Sequence, residues 1–320
     1  MTDINWSPTA GPEALRQRAD MLSRLRAFFR ARGVLEVETP LLSHHGTTEP
    51  AIESYRTQDG LWLHTSPEFA MKRLLAAGSG AIYQVCKVFR REELGRRHNG
   101  EFTLLEWYRP GWGDVELMAE VEALLRELLD DRMQMGEGLR LSYEDAFFRY
   151  LDLDPLQAPV KRLARAAAEH GIHIEMSVHE AQRDAWLELL MSQVIEPSLP
   201  PHTPVFITRF PASQASLARL DEADSRYAHR FELFFGGMEL ANGFFELTDP
   251  VEQARRFEQE RRQRASTGQV DVPADANLLA ALSHGLPDCS GVAMGVDRVL
   301  MLALGARDIR EVIAFPMDRA

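Results

Sequence analysis

VCKVFRREELGRRHNGEFTLLEWY, residues 85–108, reads as a strand, a charged loop and a second strand. Val85, Val88 and Phe89 suit a buried strand, and Phe102, Leu104, Leu105 and Trp107 suit its partner. Between them Arg90, Arg91, Glu92, Glu93, Arg96, Arg97 and His98 form a polar run that closes on Asn99-Gly100, a turn signal. The pattern predicts an antiparallel hairpin. An arginine at such a strand end offers a planar fork to a phosphate, and a phenylalanine on the return strand offers a face for a base. Taken alone, the stretch also fits a solvated hairpin whose charges only keep it soluble.

Outward from this hairpin, 320 residues with 45% hydrophobic content suffice for one large core. No linker, repeat or low-complexity tract divides the chain, so one domain over residues 1–320 is expected. The net charge of −12 argues against a stable tRNA-binding surface, because nucleic-acid affinity rests on neutralising phosphates. Cys86 and Cys289 lie far apart without metal-type spacing, and they read as reduced thiols in or near the core. The N-terminus MTDINWSPTAGPEAL has no apolar run, and no window reaches the length of a membrane span. A cytoplasmic protein without a membrane partner is expected.

Leu15, Ala19, Leu22, Leu25, Phe28 and Phe29 recur at helical spacing before Gly33, which predicts an amphipathic helix from Pro12 to Arg32. Strands are expected at 33–37, 51–56 and 61–64, then a helix opening at Ser66-Pro67-Glu68. Further helices are expected at 114–131, at 161–193 with a break at Gly171, and at 250–267; further strands at 204–210, 230–240 and 243–247. Hairpin-joined strands flanked by helices argue for a mixed α/β (α+β) fold with an antiparallel sheet.

The hairpin resembles motif 2 of the class II aminoacyl-tRNA synthetases, in the wording of their lysyl branch. RGVLEVETPLL (32–42) resembles motif 1, and SGVAMGVDRVLMLALG (290–305) resembles motif 3. ELANGFFELTD (239–249) adds a match to the lysyl branch. The resemblance implies the class II catalytic fold, ATP and Mg²⁺ as cofactors, and a homodimer with Phe28, Phe29, Val34 and Pro40 in its interface. With about ten residues ahead of the first helix, no anticodon-binding domain is expected.

By position in the motifs, Arg90 takes the role of the arginine that holds the α-phosphate, and Arg298 that of the arginine over the adenine and γ-phosphate. These two are the expected catalytic residues. Glu92 would contact the adenine amino group, Phe102 would lie beneath the ring, and His98, Asn99, Leu240 and Gly295 complete the expected nucleotide set. Glu232 and Glu239 correspond to magnesium carboxylates, hard donors suited to an ion that bridges phosphates. For the amino acid, Glu246 and Tyr108 would take a distal ammonium, Ser66 and Glu68 the backbone amine, and Asn242 the carboxylate. Ser66 also serves simply as a helix cap, and Glu232 also reads as a solvent-facing strand residue.

In motif 3, lysyl-tRNA synthetases carry alternating glycines, whereas here Ala293 replaces the second of them. A methyl group at a wall touched by substrate reshapes the pocket by about one carbon. This feature, with PASQASLARL (211–220), resembles the stand-alone ligase family that activates (R)-β-lysine with ATP and attaches it to a lysine ε-amine of elongation factor P. Two other readings stand beside it: a truncated lysyl-tRNA synthetase acting on α-lysine and tRNA, and a non-catalytic synthetase-like regulator.

Overall fold

The computed structural model describes residues 6–91, 94–129, 132–175, 178–179 and 182–320. They form two compact units, Met1–Met133 with Leu247–Ala320, and Gln134–Glu246. The first part of the chain supplies α1 (Pro12–Ala31), β1 (Leu35–Glu36), β2 (Leu42–Ser43), β3 (Trp62–Leu63), α2 (Glu68–Ala76), β4 (Ile82–Phe89), β5 (Glu101–Pro110) and α3 (Asp114–Leu129). The middle supplies β6 (Leu139–Ser142), α4 (Tyr143–Leu151), α5 (Val160–Glu169), α6 (Arg183–Leu190), the short α7 (Glu196–Ser198), β7 (Val205–Pro211), β8 (Tyr227–Phe235) and β9 (Met238–Phe245). The last part supplies α8 (Pro250–Ser266), α9 (Ala276–Gly285), β10 (Cys289–Gly295) and α10 (Val296–Leu304).

In the first unit the expected hairpin forms, with Ile82 opposite Tyr108 and Phe89 opposite Glu101. β10 adds to its far side, Cys289 opposite Pro110 and Gly295 opposite Leu104. β1 pairs in parallel with β4, so the strands of this unit pair antiparallel except at this edge. Residues 51–56 make only isolated bridges at Glu53 and Arg56 instead of a strand.

Helix α1 buries Ala14, Met21, Leu25, Phe28 and Phe29 along one stripe, and the chain turns away at Gly33, whose φ of 65° suits a residue without a Cβ. Phe29 stacks on Tyr83 at 4.5 Å and meets the Trp107 edge at 5.3 Å. Phe28, Phe29 and Val34 therefore fill the unit's own core, each at most 6% exposed, and offer no surface to a second chain. That corrects three of the four interface residues named from motif 1; Pro40 is exposed, as are Leu35, Leu41 and Leu42. Full burial of a phenylalanine stabilises by about 1.5–3 kcal/mol, which favours the core placement.

In the second unit β7 and β8 and then β8 and β9 pair antiparallel, while β6 lies parallel to β7. Tyr143, Phe147, Leu163, Trp186, Ile195 and Ile207 pack into one core under these strands. Residues 230–240, read as one strand, are two: Gly236 and Gly237, at φ 61° and 72°, turn the chain between β8 and β9. Both central residues of such a two-residue turn need positive φ, which the Gly-Gly pair supplies. Gly243 is fixed for a different reason, since a Cβ there would lie 2.3 Å from the Phe231 ring.

Candidate active site

Strand register decides which side chains meet. Ala293 sits opposite Glu106, Gly291 opposite Tyr108 and Gly295 opposite Leu104, while Gln84 sits opposite Glu106 across β4. With side chains alternating across the pleat, Phe102, Glu106, Tyr108, Ala293 and Gly295 belong to one face of the sheet.

At one place on this face the carboxylate of Glu106, only 2% exposed, is held by two hydroxyls. Ser66 Oγ donates to its Oε2 at 2.6 Å and Tyr108 OH to its Oε1 at 2.7 Å. Ser66 Oγ in turn accepts the Glu68 N–H at 3.0 Å, so the TSPE segment both starts α2 and points Ser66 at the acid. Glu68 pairs with buried Lys72 at 2.6 Å, one helical turn on. Burial pushes the Glu106 carboxyl up to about 7, and the Glu68 charge adds to this, against the hydroxyl bonds and Lys72. Cys86 lies beside this group, and burial and then the Glu106 charge push its thiol up to about 12, leaving it an unreactive thiol.

At the hairpin end of the same unit stand the nucleotide candidates. The Arg90 guanidinium lies 5.2 Å from the Phe102 ring centre, and its Nε approaches the Thr65 carbonyl at 3.5 Å, beside Ser66. Arg298, in the first turn of α10, donates to His98 Nε2 at 2.7 Å. Gly295 caps that helix, and a Cβ on it would reach only ordinary contact with the Arg298 stem at 3.8 Å. Asn99 braces the loop: its Nδ2 donates to the Glu101 carbonyl at 2.7 Å and its Oδ1 accepts the Met317 N–H at 3.1 Å. Glu92 lies outside the described residues.

In the second unit Glu232 sits opposite Asn242, and Phe234 opposite Glu239. The register shift between Leu233 and Phe234 turns odd-numbered Glu239 to the face that carries even-numbered Glu232 and Asn242, with Leu240 buried at the irregularity. Glu232 is held by Arg230 at 2.6 Å; burial pushes its carboxyl up to about 7, Arg230 opposes, and Glu239 adds to the rise. Two carboxylates on one face, beside the buried Asn242 Oδ1, fit a magnesium ion, which takes one or two protein carboxylates and completes its shell with phosphate and water. No set of three or more His, Cys, Asp or Glu among the described residues forms a metal site by itself. Glu246, 1% exposed, follows β9, bridged to Ala218.

The structure thus gathers Ser66, Glu68, Tyr108 and Ala293 around Glu106, sets Arg90 on Phe102 and Arg298 on His98 beside Gly295 at the hairpin end, and puts Glu232, Glu239 and Asn242 on one face of the second unit's strands. Glu106 and Lys72 belong to the first of these groups and escape sequence reading. Glu106 hides inside the apolar run LLEWY, where only strand parity marks it; Lys72 shows a weak signal, its i,i+4 spacing from Glu68.

The family described as tRNA synthetases class II (D, K and N) matches residues 7–319. The chain belongs to this class II synthetase family. Within it, the chain is 50% identical to the elongation factor P--(R)-beta-lysine ligase of Yersinia enterocolitica, over 99% of this chain and 98% of the relative. It is 49% identical to the ligase of that name from Pseudoalteromonas translucida, over 98% of each, and 50% identical to that of Edwardsiella ictaluri, over the whole of both. A class II synthetase fold accounts for the antiparallel strands and flanking helices of both units.

Proposed function

We propose that this class II ligase activates (R)-β-lysine with ATP and attaches it to a lysine ε-amine of elongation factor P. The observation that carries this reading is the acid cluster of Glu106, Ser66, Tyr108 and Glu68 with Ala293 directly across the strand from Glu106. A buried carboxylate held by neutral hydroxyls suits a substrate ammonium, because a cation so bound satisfies both its own charge and that of the acid. Relatives at about half identity carry the same activity in their names.

In the first step a carboxylate oxygen of β-lysine attacks the α-phosphorus of ATP; the bond to pyrophosphate breaks and an acyl-adenylate forms. Arg90 and Arg298 offset the charge that accumulates on the phosphate oxygens, and Phe102 stacks on the base, with His98, Asn99 and Gly295 shaping the loop around it. Glu232 and Glu239 would hold Mg²⁺, which would supply positive charge to the phosphates. In the first unit Glu68 and Ser66 take the amine near the carboxylate, and Glu106 and Tyr108 take the distal ammonium; Glu246 and Asn242 of the second unit are assigned to the ammonium and the carboxylate by motif position alone. In the second step the neutral ε-amine of the acceptor attacks the carbonyl carbon, AMP leaves with the carboxyl oxygen, and the new amide nitrogen gives up a proton.

Residues 1–320 act as one catalytic domain in this reading, which the family match across both units supports. Exposed Leu35, Leu41 and Leu42 beside Pro40 favour a homodimer through the motif 1 segment. No helix among the described residues is long and apolar enough to cross a membrane, in keeping with a cytoplasmic ligase. Incubation with ATP and labelled (R)-β-lysine, with elongation factor P or tRNA as acceptor, tests the proposal. Label on elongation factor P supports it; label on tRNA alone overturns it.

A further inference from the structure

Lys72 is 1% exposed, yet it carries a cationic side chain that the proposed chemistry leaves unused. Burying an ammonium costs several kcal/mol unless it is paired, so its place demands a reason. Its Nζ lies 2.6 Å from Glu68 Oε1, and Glu68 and Glu106 are joined through Ser66, whose hydroxyl contacts both residues. We propose that Lys72 is a positioning residue, a buried counter-ion that lets Glu68 and Glu106 share one pocket as carboxylates and so accept the two ammonium groups of a diamino acid. This rests on the reading of Ser66, Glu68 and Glu106 as the amino-acid pocket.

Two acids in one buried place repel each other, and the cheapest escape is for one of them to hold a proton. A protonated Glu106 has one oxygen fewer with which to receive an ammonium. Burial and the Glu68 charge both drive Glu106 toward that form, while Ser66, Tyr108 and Lys72 oppose it. Of these opponents only the hydroxyl bonds are local to Glu106; the opposing charge comes from Lys72. Lys72 bonds Glu68 from within α2, four residues along the same helical face, and engages its Oε1.

Arg90 and Arg256, cations of the neighbouring segments, are engaged elsewhere, Arg90 Nε on the Thr65 carbonyl at 3.5 Å and Arg256 Nε on Glu252 at 2.9 Å. From β4 comes Cys86, whose thiol is pushed up to about 12 by burial and the Glu106 charge and stays neutral. From α8 comes Glu260, another acid, pushed up to about 7 by burial and Glu49, with Thr48 and Arg256 opposing and Glu68 adding to the rise. α9, which packs on α2, has exposed His284 as its one titratable side chain, and β10 brings the Cys289 thiol at the Pro110 end. Lys72 thus supplies positive charge that favours the carboxylate form of Glu106.

The test compares wild type with Lys72→Met, Lys72→Gln and Lys72→Arg in the full chain. The midpoint for Glu106 is followed by ¹³C NMR of the glutamate δ-carbons, assigned with Glu106→Gln. In the uncharged variants that midpoint should rise by about one pH unit. In pyrophosphate exchange the KM for β-lysine at neutral pH should rise ~10-fold and recover at higher pH, while the KM for ATP stays put. Lys72→Arg should keep the wild-type midpoint and profile. The proposal is overturned if the uncharged variants, folded by circular dichroism, titrate like wild type, or if Lys72→Arg shifts as far as Lys72→Met. A wild type that titrates as described but shows no lysine-dependent exchange would remove the amino-acid reading and leave the action of Lys72 on Glu106 standing. Should Lys72→Met fail to fold, Lys72→Gln and Lys72→Arg decide the matter on the same readouts.

Discussion

Glu106 in one unit, fully buried, and Glu232 in the other, partly buried, are both carboxylates pushed up to about 7, but they are held in different ways. Glu106 rests on two neutral hydroxyls, Ser66 and Tyr108, while Lys72, a cation that acts on it, is bonded to another carboxylate. Glu232 rests directly on the Arg230 guanidinium, with a second acid, Glu239, on the same face. Hydroxyls fix an acid in place without satisfying its charge, so Glu106 retains its attraction for a substrate ammonium. A carboxylate already bonded to arginine, beside another carboxylate, suits a divalent ion that arrives with its own anions. Burial alone does not assign a role; the kind of donor does.

The comparison predicts that the two acids fail in different variables, and the arginines give the ceiling against which both are read. Arg90→Ala and Arg298→Ala should each lower adenylate formation by ~10²-fold or more without loss of fold, since they remove charge stabilisation rather than packing. Near-wild-type pyrophosphate exchange in either variant would withdraw that arginine from the phosphate assignment. Glu106→Gln should then raise the KM for β-lysine by ~10- to 100-fold with the ATP and Mg²⁺ requirements unchanged. Glu239→Gln should do the reverse, raising the Mg²⁺ needed for half-maximal exchange while the lysine KM holds. If both variants changed the same parameter, the division of labour would collapse.

How far this was legible in the chain depends on the kind of signal. The hairpin of β4 and β5 could be read directly because Asn99-Gly100 closes it and the strand residues are apolar on both sides. The β8–β9 hairpin was readable in principle from Gly236-Gly237, but the apolar run on either side of the glycines mimics one long strand. Phe28, Phe29 and Val34 show the limit of family position: an apolar residue in an interface motif and one in a core look alike until the Phe29–Tyr83 stack is seen. Glu106 needed the pairing with Ala293, a contact nearly two hundred residues away in sequence, which no local pattern encodes.

Stability against pH sharpens the comparison further. Glu106, Glu232 and Glu260 have an ordinary value of 4.5 and sit at about 7 in the fold, so the folded chain holds protons that the unfolded chain has released. Their contribution is therefore full below pH 4.5 and is lost as pH rises through 7, on the order of 1–3 kcal/mol for each by pH 8. Glu252, held down to about 2 chiefly by Arg255, has the opposite sign: its contribution is present above pH 4.5 and is lost as pH falls toward 2. Denaturant unfolding of the ligand-free protein from pH 5 to 8 should show the decline, and Glu106→Gln should flatten it. A stability that rises across this window would contradict the assignment of buried, proton-holding acids.

The smallest effect is expected at Ala293, whose methyl lies across the strand from Glu106. Ala293→Gly should shift the kcat/KM ratio for β-lysine over α-lysine by roughly 10-fold toward α-lysine. A changed stability with an unchanged ratio would make the alanine a packing residue only.

The central claim, that this acid pocket is built to activate β-lysine, is tested most directly by pyrophosphate exchange without any acceptor. The two substrates are (R)-β-lysine and α-lysine, each titrated against saturating ATP and Mg²⁺. The account predicts a higher kcat/KM for (R)-β-lysine; equal values, or a preference for α-lysine, would contradict it.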